Sequence, residues 1–355
     1  MDNIGRFAQL LPGDDVCALI ESEVSRFYLT GFASDFGFLI VSRKGSFFLT
    51  DSRYIEAARE AVTSCEVLET ASLGAQLRMI FSSLGCRFVS VEAEKTTLAG
   101  LARLRRLAKG YCVKADGSLD AVLTAMRSLK TPGEVALIEK AQAITDRAFE
   151  YILGVIKPGI TERDLCLELD FFMLKNGADA VAFDTIAASG VNGSKPHAVP
   201  GGKRLAKGEM VTLDFGAAVG GYRSDMTRTV ALGKPGGEEA EVYDIVLAAQ
   251  ERALAKIADG VTCVDADAAG RDLIAARGYG ACFGHGIGHG VGVEIHEEPR
   301  VSKTSKQALR AGNVVTVEPG IYLPGRFGVR IEDMVLVTSG GCRNLTASPK
   351  KLVVL

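Results

Sequence analysis

Residues 211–230 constrain the fold more strongly than any other part of the sequence. The run Val-Thr-Leu-Asp-Phe-Gly-Ala at 211–217 alternates apolar and polar side chains, which predicts a strand with one apolar face and Asp214 on the other. Gly220-Gly221 is the signal of a two-residue hairpin turn, and the sequence up to residue 230 forms the predicted return strand. With this turn, residue 219 faces residue 222 across an antiparallel pair.

The predicted hairpin brings two aspartates together. In the same register Asp214 faces Thr227 and Asp225 faces Gly216, so that the two aspartates lie on one face as diagonal neighbours. Diagonal neighbours are roughly 7 Å apart at the backbone, within reach of a shared ion or of a pair of metal ions. A single aspartate in a strand is usually a solvated edge residue, but two like charges on one face are costly without a cation. The pair therefore predicts a cation site.

A second hairpin repeats this arrangement with two glutamates. Residues 314–318 end in Glu318, a turn follows around Pro324-Gly325, and Arg330 and Glu332 then share one face of the alternating return strand. A connection of about five residues places Glu332 roughly opposite Glu318. Taken alone, Glu318 could instead form an ordinary salt bridge with Arg330, and the hairpin leaves both interpretations open.

Histidines are few and concentrated. Of the four in the chain, His285, His289 and His296 fall within twelve residues, and His197 stands apart. Alternating glycines at 284–292 indicate extended backbone that another group approaches closely, and on a strand His285 and His289 share a face. Histidine is the usual carrier of proton transfer and metal ligation, so the cluster predicts a functional site. The HExxH zinc motif is absent from this cluster. The G-x-G-x-x-G fingerprint and the P-loop are absent as well, so nucleotide binding has no support.

Four carboxylates and an imidazole form a ligand set for divalent first-row ions that accept oxygen ligands. No cysteine belongs to the set, which favours manganese, cobalt or zinc bound without thiolate. Four carboxylates carry a charge of about −4 and two divalent ions about +4, so that a dinuclear site is nearly balanced and can hold a bridging hydroxide. We therefore expect two divalent metal ions per chain, with manganese as the first candidate.

The length of 355 residues exceeds what a single core usually needs and predicts two domains. Residues 1–125 alternate short strands with helices and form a predicted α/β domain, with strands at 27–29, 36–41, 47–49 and 87–91 and helices at 52–62 and 97–109. Thr131-Pro132-Gly133-Glu134 has the form of a capping box and opens a second, α+β domain at 126–355. Its predicted helices are 132–156, 161–177 and 238–258, and β-rich sequence begins after Ala281.

Net charge and cysteine usage limit the classes of binding partner and the cellular compartment that the sequence supports. Forty-one Lys and Arg against 43 Asp and Glu leave a net charge of −2, which gives no support for binding to nucleic acid or to an anionic membrane. The first residues show no secretory signal, and no apolar run is long enough to span a bilayer. The eight cysteines include no CxxC pair and are expected to be reduced, mostly buried thiols, which predicts a cytoplasmic protein.

Five motifs in a fixed order resemble the pita-bread metallopeptidases, and within them the Xaa-Pro aminopeptidases and the Xaa-Pro dipeptidases, or prolidases. An eleven-residue step joins the two Asp motifs, and the five are Leu213–Gly216, Tyr222–Thr229, His285–Pro299, Val317–Tyr322 and Val329–Asp333. Phe27–Phe32 and Leu49–Tyr54 also look like the creatinase-type N-terminal domain of that branch. The resemblance covers almost the whole chain and implies an α/β creatinase-like domain followed by an α+β pita-bread catalytic domain.

Carried over position by position, the resemblance implies roles for ten side chains. The metal ligands would be Asp214, Asp225, His289, Glu318 and Glu332. His289 is preferred to His285 because a second functional histidine, His296, follows it by seven residues. Glu318 would also carry a proton from the attacking water to the leaving nitrogen, His296 would stabilise the developing oxyanion, and His197 would line the pocket on the leaving side. The remaining three would orient ligands or substrate, with Arg300 holding the free carboxylate of a dipeptide: His285, Arg330 and Arg300.

The implied activity is hydrolysis of the Xaa-Pro bond at the N-terminus of dipeptides or short peptides by a metal-bridged hydroxide. The same resemblance implies a small peptide substrate with proline in second position, and a homodimer. Three alternatives share the fold: a methionine aminopeptidase, a non-catalytic binding protein, and a creatine amidinohydrolase, which works without this metal set. The sequence leaves open the choice between dipeptides and longer peptides, the physiological metal and the preferred first residue.

Overall fold

The computed structural model describes residues 2–355, which form two compact units. The first unit ends at Arg127 and the second runs from Ser128 to Leu355, so the division lies two residues beyond the predicted boundary. Among the helices of residues 2–355, none combines the length and the apolar character needed to cross a bilayer.

The first unit is an α/β domain built on one six-stranded mixed sheet. Its elements are α1 (Asn3–Leu10), β1 (Val16–Ile20), α2 (Glu23–Thr30), β2 (Phe38–Ser42), β3 (Gly45–Thr50), α3 (Ile55–Ala61), β4 (Glu66–Glu69), α4 (Leu73–Ser83), β5 (Phe88–Val91), α5 (Leu98–Leu107), β6 (Cys112–Lys114) and α6 (Ser118–Ser128). The strand order is β4-β3-β2-β1-β5-β6, and only the pairs β1–β2 and β2–β3 are antiparallel. The sheet and the helices α4 and α5 enclose a core that includes Leu77, Phe81 and Leu104.

Residues 27–29, predicted as a strand, lie inside helix α2, so this prediction is wrong. Ser22 caps the helix by accepting a hydrogen bond from the N–H of Ser25, and Gly31 ends it with a left-handed φ of 73°. These capping signals outweigh the strand preference of the aromatic residues. The predicted strands at 36–41, 47–49 and 87–91 are confirmed as β2, β3 and β5, and the predicted helices as the somewhat shorter α3 and α5. Helices α1, α4 and α6 lie outside the segments predicted from sequence.

Cysteine pairing also differs from expectation. Cys17 on β1 and Cys86, which precedes β5, form a disulfide, with their Cα atoms 6.0 Å apart. The expectation of reduced thiols is therefore wrong for this pair, because the parallel pairing of β1 with β5 joins cysteines that are 69 residues apart in sequence. The other six cysteines of the described chain are unpaired, and only Cys166 and Cys263 among them are buried.

The second unit is an α+β domain. Its elements are α7 (Pro132–Leu153), α8 (Glu162–Lys175), β7 (Ala180–Val181), β8 (Ile186–Ser189), a 3₁₀ helix (Gly190–Ser194), β9 (Met210–Phe215), β10 (Ala217–Val219), β11 (Tyr222–Arg223), β12 (Met226–Ala231), α9 (Gly237–Leu254), α10 (Cys263–Ala276), a 3₁₀ helix (Gly280–Cys282), β13 (Gly288–Gly290), β14 (Glu297–Val301), β15 (Val314–Val317), β16 (Gly320–Leu323), β17 (Phe327–Arg330), β18 (Asp333–Thr338) and β19 (Gly341–Asn344). The capping box of Thr131 and Glu134 is confirmed. The three predicted helices are present as α7, α8 and α9, each ending a few residues early, whereas α10 was not predicted.

Two halves of similar construction make up the second unit. In the first half, α7 and α8 pack on the antiparallel sheet β12-β9-β8, with Ile144, Leu169 and Leu213 in the core. In the second half, α9 and α10 pack on the sheet β14-β13-β15-β18-β19, with Val246 and Val315 in the core. Because side chains alternate along a strand, each sheet keeps one face for the apolar core and can carry polar side chains on the other.

A buried arginine ties residues 348–355 to the strands. Arg228 on β12 is 1% exposed, and its guanidinium donates to the carbonyl oxygens of Glu332, Ser348 and Pro349 and to the carboxylate of Asp333 at 2.8 Å. Backbone hydrogen bonds also join residues 231–233 to residues 353–355. The segment 348–355 is therefore attached to the same strand region that carries Glu332.

Candidate metal centre

The first carboxylate pair lies where the ladder between two strands is interrupted. Asp214 pairs with Thr227 between β9 and β12, and residue 219 pairs with residue 222 across the two-glycine turn, so the predicted register is confirmed. The ladder breaks at Gly216, where a Cβ atom would overlap the backbone carbonyl of Ser224. This close approach is possible only for glycine, and Asp225 lies on the other strand at this break.

The second pair lies at a corresponding interruption. β15 pairs with β18 and β16 with β17 in a single continuous register, which places Glu318 opposite Glu332 as predicted. Both residues fall between the paired strands, and their backbone N–H groups donate elsewhere: Glu318 to the carbonyl of Ile287 at 2.7 Å and Glu332 to the carbonyl of Thr227 at 3.1 Å. Through these two hydrogen bonds the second hairpin is joined to the glycine-rich segment and to the first hairpin.

His289 completes the group from strand β13. Its Nε2 atom lies 3.3 Å from Glu318 Oε1 and 3.6 Å from Asp225 Oδ2, and ligand atoms of Asp225, His289 and Glu332 lie within 4.8 Å of one another. Its Nδ1 atom lies 3.1 Å from the carbonyl oxygen of Gly290. Because a carbonyl can only accept, Nδ1 carries the hydrogen, and in the neutral ring Nε2 is left with its lone pair towards the carboxylates.

His285 does not share the strand with His289. Strand β13 contains only residues 288–290, so the expectation of a common strand face is wrong. The reason lies in the preceding backbone, where Asp267 accepts from the N–H of Ile287 and Arg271 donates to the carbonyl of His285. These side chains satisfy the backbone groups that a strand partner would otherwise satisfy.

A hydrogen-bonded chain connects His285 to the first carboxylate pair. His285 Nδ1 donates to the Gly286 carbonyl at 2.8 Å, so its Nε2 accepts from the hydroxyl of Tyr322 at 2.9 Å. Tyr322 in turn accepts from Arg330 at 2.8 Å, and Arg330 forms an ion pair of 2.7 Å with Asp214 Oδ2. The salt bridge considered between Arg330 and Glu318 is thus made with Asp214 instead.

Burial and repulsion raise the pKa of three of the four carboxyl groups. Burial is the largest cause for Asp214, Asp225 and Glu332, and neighbouring carboxylates add to it, so that the pKa of Asp225 and that of Glu332 lie well above the usual range. Arg330 opposes this shift in the pKa of Asp214. Within residues 2–355, Asp214 Oδ1 is buried without a hydrogen-bond partner. Acidic groups that resist ionisation, one with an unpaired oxygen, fit a cation at this position.

Glu318 differs from the other three carboxyl groups. Burial acts to raise the pKa of Glu318, but the doubly protonated, charged form of His289, whose Nε2 can then donate to Glu318 Oε1, outweighs burial and lowers it. Glu318 is also less buried than Glu332. It is therefore ionised at the edge of the cluster, where a proton acceptor is needed.

Two buried threonines each hold a carboxylate in place. The Thr227 hydroxyl accepts from Arg330 Nε at 3.0 Å and donates to Glu332 Oε2 at 2.6 Å. The Thr316 hydroxyl accepts from the backbone N–H of His289 at 3.0 Å and donates to Glu318 Oε1 at 3.2 Å. Since each hydroxyl has one proton, the incoming N–H donor leaves that proton for the carboxylate.

All ten side chains predicted from the sequence line a single cavity of about 610 Å³. His296 stacks edge-on against His289 with ring centroids 4.4 Å apart, and His197, His296 and Arg300 are exposed to solvent. Desolvation, followed by repulsion from His289 and Arg300, lowers the pKa of His296 to about 4, so that its ring is neutral at pH 7. The cavity also has apolar walls, formed in part by Phe183, Ile186 and Ile295, and these were not predicted.

Sequence reasoning also missed three side chains that hold the carboxylates or Arg330 in place: Tyr322, Thr227 and Thr316. Tyr322 and Thr227 stand inside the motifs quoted above, but a strand pattern gives neither residue a role of its own. The alternation of the strands does place Thr227 opposite Asp214, and this was the one available signal. No local pattern marks a hydroxyl whose partners come from other hairpins.

Comparison with known proteins identifies relatives of both units. The family model of metallopeptidase family M24 matches residues 136–339, and that of the creatinase/prolidase N-terminal domain matches residues 15–128. The chain is 42% identical over 341 residues to the uncharacterized peptidase YqhT of Bacillus subtilis, covering 95% of each protein. It is similar to the solved structure of an Xaa-Pro dipeptidase from Bacillus anthracis, with 39% identity, a TM-score of 0.93 and 99% of each chain covered. It is also similar to an X-Pro aminopeptidase from Thermotoga maritima, with 36% identity, a TM-score of 0.93 and 100% of each chain covered.

Removing the hydroxyl of Thr227 or of Thr316, each of which donates to a carboxylate of the cavity, should weaken metal binding. Thr227→Val and Thr316→Val keep the side-chain shape but leave a carboxylate oxygen without its donor, and we expect roughly 10–100-fold lower affinity for Mn(II) by calorimetry. Thr227→Ser and Thr316→Ser should restore most of it. Thr229→Val is the matched control, since the Thr229 hydroxyl on the same strand donates to the Arg330 carbonyl and not to a carboxylate. Equal losses in Thr229→Val and Thr227→Val would contradict the assignment.

Proposed function

Because the chain belongs to metallopeptidase family M24 and carries a creatinase/prolidase N-terminal domain, we propose that it hydrolyses Xaa-Pro bonds at the N-terminus of dipeptides or short peptides. The family match also confirms the fold class, an α/β creatinase-like domain followed by an α+β pita-bread domain. The observation that carries the proposal is the convergence of four carboxylates and the lone-pair nitrogen of His289 on one cavity. Relatives named as Xaa-Pro dipeptidase and X-Pro aminopeptidase support this substrate class over that of a methionine aminopeptidase.

Two divalent ions would be held by Asp214, Asp225, His289, Glu318 and Glu332. The unpaired Asp214 Oδ1 and the raised pKa of Asp225 support a cation, and oxygen-rich ligands without thiolate support manganese, with cobalt or zinc as alternatives. When bound, such ions polarise the scissile carbonyl and make hydroxide available from water at neutral pH.

The protein's own residues would move the proton. Glu318 would accept a proton from the attacking water and deliver it to the leaving nitrogen. The nitrogen of an Xaa-Pro amide carries no hydrogen of its own, so the delivered proton becomes the N–H of the secondary amine that leaves. The low pKa of Glu318 keeps its carboxylate ionised, which is the form that can accept a proton. Thr316, bonded to Glu318 Oε1, would fix its orientation.

The exposed side of the cavity would bind the substrate. His296 has a neutral ring beside His289 and would donate a hydrogen bond to the carbonyl oxygen as negative charge develops there. His197 lines the same cavity and would face the leaving side. Arg300 lies close enough to His296 for its charge to act on the ring, and would pair with a terminal carboxylate. His285 and Arg330 would hold Asp214 through Tyr322.

We further propose that the protein acts as a homodimer in the cytoplasm. Six unpaired cysteines among the described residues support a reducing compartment, whereas the Cys17–Cys86 disulfide does not. Fractionation of the native host cells would test the location directly.

Metal content is the first expected outcome. The protein reconstituted with Mn(II) should bind two ions per chain by elemental analysis, and chelation should abolish Xaa-Pro hydrolysis reversibly because the site then lacks its electrophile. Asp225→Asn should lose metal and activity together. Full activity in exhaustively metal-free protein would exclude this mechanism.

The two stacked histidines should separate metal binding from catalysis. His289→Ala should lose metal, whereas His296→Ala should keep two ions per chain and lose kcat on the order of a hundredfold, the loss typical of one oxyanion donor. Metal analysis and steady-state kinetics on the same samples check both. If His296→Ala stripped the metal and His289→Ala retained it, the two assignments would be reversed.

Substrate length should depend on Arg300. A free carboxylate after proline needs a cation, so Arg300→Ala should raise KM for Xaa-Pro dipeptides strongly and leave KM for an amidated Xaa-Pro-NH2 nearly unchanged. The amide is an internal control, because a general folding defect would affect both substrates. Equal losses on the two substrates would remove Arg300 from the site and favour an aminopeptidase of longer peptides.

A further inference from the structure

An ion pair on helix α10 lies beside residues 283–287 and outside the cavity. Arg271 donates to both carboxylate oxygens of Asp267, at 2.6 and 2.8 Å, and the Asp267 side chain is 1% exposed. Neither residue lines the cavity. Their spacing of four residues along the helix is common for an ion pair and by itself indicates no function. What sets this pair apart is that both side chains also bond to the backbone of residues 283–287.

The two side chains hold three alternate residues of this segment. Arg271 donates through Nη1 to the carbonyl of Phe283 at 3.0 Å and through Nη2 to the carbonyl of His285. Asp267 Oδ1 accepts from the N–H of Ile287 at 2.9 Å. Residues 283–287 belong to no strand, so the ion pair satisfies backbone groups that a ladder would otherwise satisfy. We name Asp267 and Arg271 the α10 clamp.

Arg271 also holds the ring of His285 through an aromatic neighbour. Its guanidinium carbon lies 4.1 Å from the centroid of the Phe283 ring. The rings of Phe283 and His285 meet edge to face, with centroids 5.0 Å apart. The Phe283 ring is therefore held between the guanidinium and the imidazole. A planar guanidinium can stack on a ring and bond to two carbonyls at the same time, which a lysine ammonium cannot do.

We propose that the two residues of the α10 clamp are positioning residues for the metal centre, an inference that rests on the function proposed above. One route runs through Ile287, which donates its N–H to Asp267 and accepts at its carbonyl from the N–H of Glu318 at 2.7 Å. The other runs through His285, which begins the hydrogen-bonded chain that ends at Asp214. The α10 clamp thus reaches two carboxylates by separate routes and touches neither.

The first half of the second unit makes the corresponding contact without a cation. Cys166 and Asp170 are the fifth and ninth residues of α8, as Asp267 and Arg271 are of α10. Both reach Thr185 just before β8: the thiol donates to its carbonyl, and the Asp170 carboxylate accepts from its hydroxyl. A helix can therefore pack on such a segment without an ion pair, and burying an ion pair costs desolvation. The charged arrangement at α10 is explained by the reach of its three backbone bonds towards the metal centre.

Arg271→Lys tests whether the fork of the guanidinium is needed or only its charge. Lysine keeps a positive charge beside Asp267 but cannot bridge both carbonyls and stack on Phe283. The Mn(II)-loaded variant should keep two ions per chain and a KM within about twofold of the parent for an Xaa-Pro dipeptide. Its kcat should fall roughly tenfold, because a small displacement of Glu318 spoils proton transfer more than substrate binding.

Arg26→Lys is the matched control for the loss of a buried arginine. Arg26 is 3% exposed and donates to the carbonyls of Glu21, Ser34 and Gly37 in the first unit, outside the cavity. This variant should lower the melting temperature and leave kcat unchanged. Parental kcat in Arg271→Lys, or an equal loss of kcat in Arg26→Lys, would overturn the proposal.

Hydrogen–deuterium exchange of the metal-loaded protein reports on the held segment without any substrate. Loss of the fork should free residues 284–290, so their amide hydrogens should exchange at least roughly tenfold faster in Arg271→Lys than in the parent, while those of β12 do not change. Unchanged exchange at residues 284–290 would refute the α10 clamp. A parent protein that fails to cleave Xaa-Pro peptides contradicts the proposed function alone, because the exchange result still decides whether Arg271 holds the segment.

Discussion

Four carboxylates share one cavity at its more buried side, and much of the second unit is arranged around the cost of keeping them there. Like charges at this distance repel strongly in surroundings of low dielectric constant. Asp225, Glu318 and Glu332 lie where a strand ladder is interrupted, and Asp214 lies two residues before the break at Gly216. The freed backbone groups bond to other elements, as Glu332 does to Thr227. The interruptions thus serve two purposes. They place acidic side chains in the cavity. They also free backbone groups for hydrogen bonds between hairpins, which offset the repulsion between the carboxylates.

Donors of fixed direction offset part of this repulsion. Arg330 reaches one oxygen of Asp214, and the hydroxyls of Thr227 and Thr316 each reach one glutamate oxygen. Other oxygens remain unengaged, and Asp214 Oδ1 is the clearest case within residues 2–355. Full satisfaction by protein donors would stabilise the chain alone but would leave nothing to bind a cation. Protein donors therefore compensate the carboxylates only in part, and a bound cation would supply the rest.

Local parts of the site could be predicted from the sequence, whereas contacts between distant segments could not. The turn at Gly220-Gly221 sets the register of its own hairpin, so the position of Asp214 opposite Thr227 follows from adjacent residues. The hydroxyl of Thr316 and the phenol of Tyr322 carry no such signature, because their partners lie on other hairpins and both are common strand residues. In the first unit the same limit applies. The disulfide depends on which strands are neighbours, and α2 was missed because its aromatic residues favoured a strand while its caps favoured a helix.

The buried Arg228 makes residues 348 and 349 part of the support of the site, although neither of them lines the cavity. Its guanidinium holds the carbonyls of Thr227 and Glu332 together with those of Ser348 and Pro349. Without the last two, this arginine would lose half of its carbonyl partners and become a buried charge only partly compensated. Because the same guanidinium holds the backbone of Glu332, a change at residues 348–349 would be transmitted to that carboxylate through Arg228. A segment outside the cavity can therefore alter the site without contributing a side chain to it.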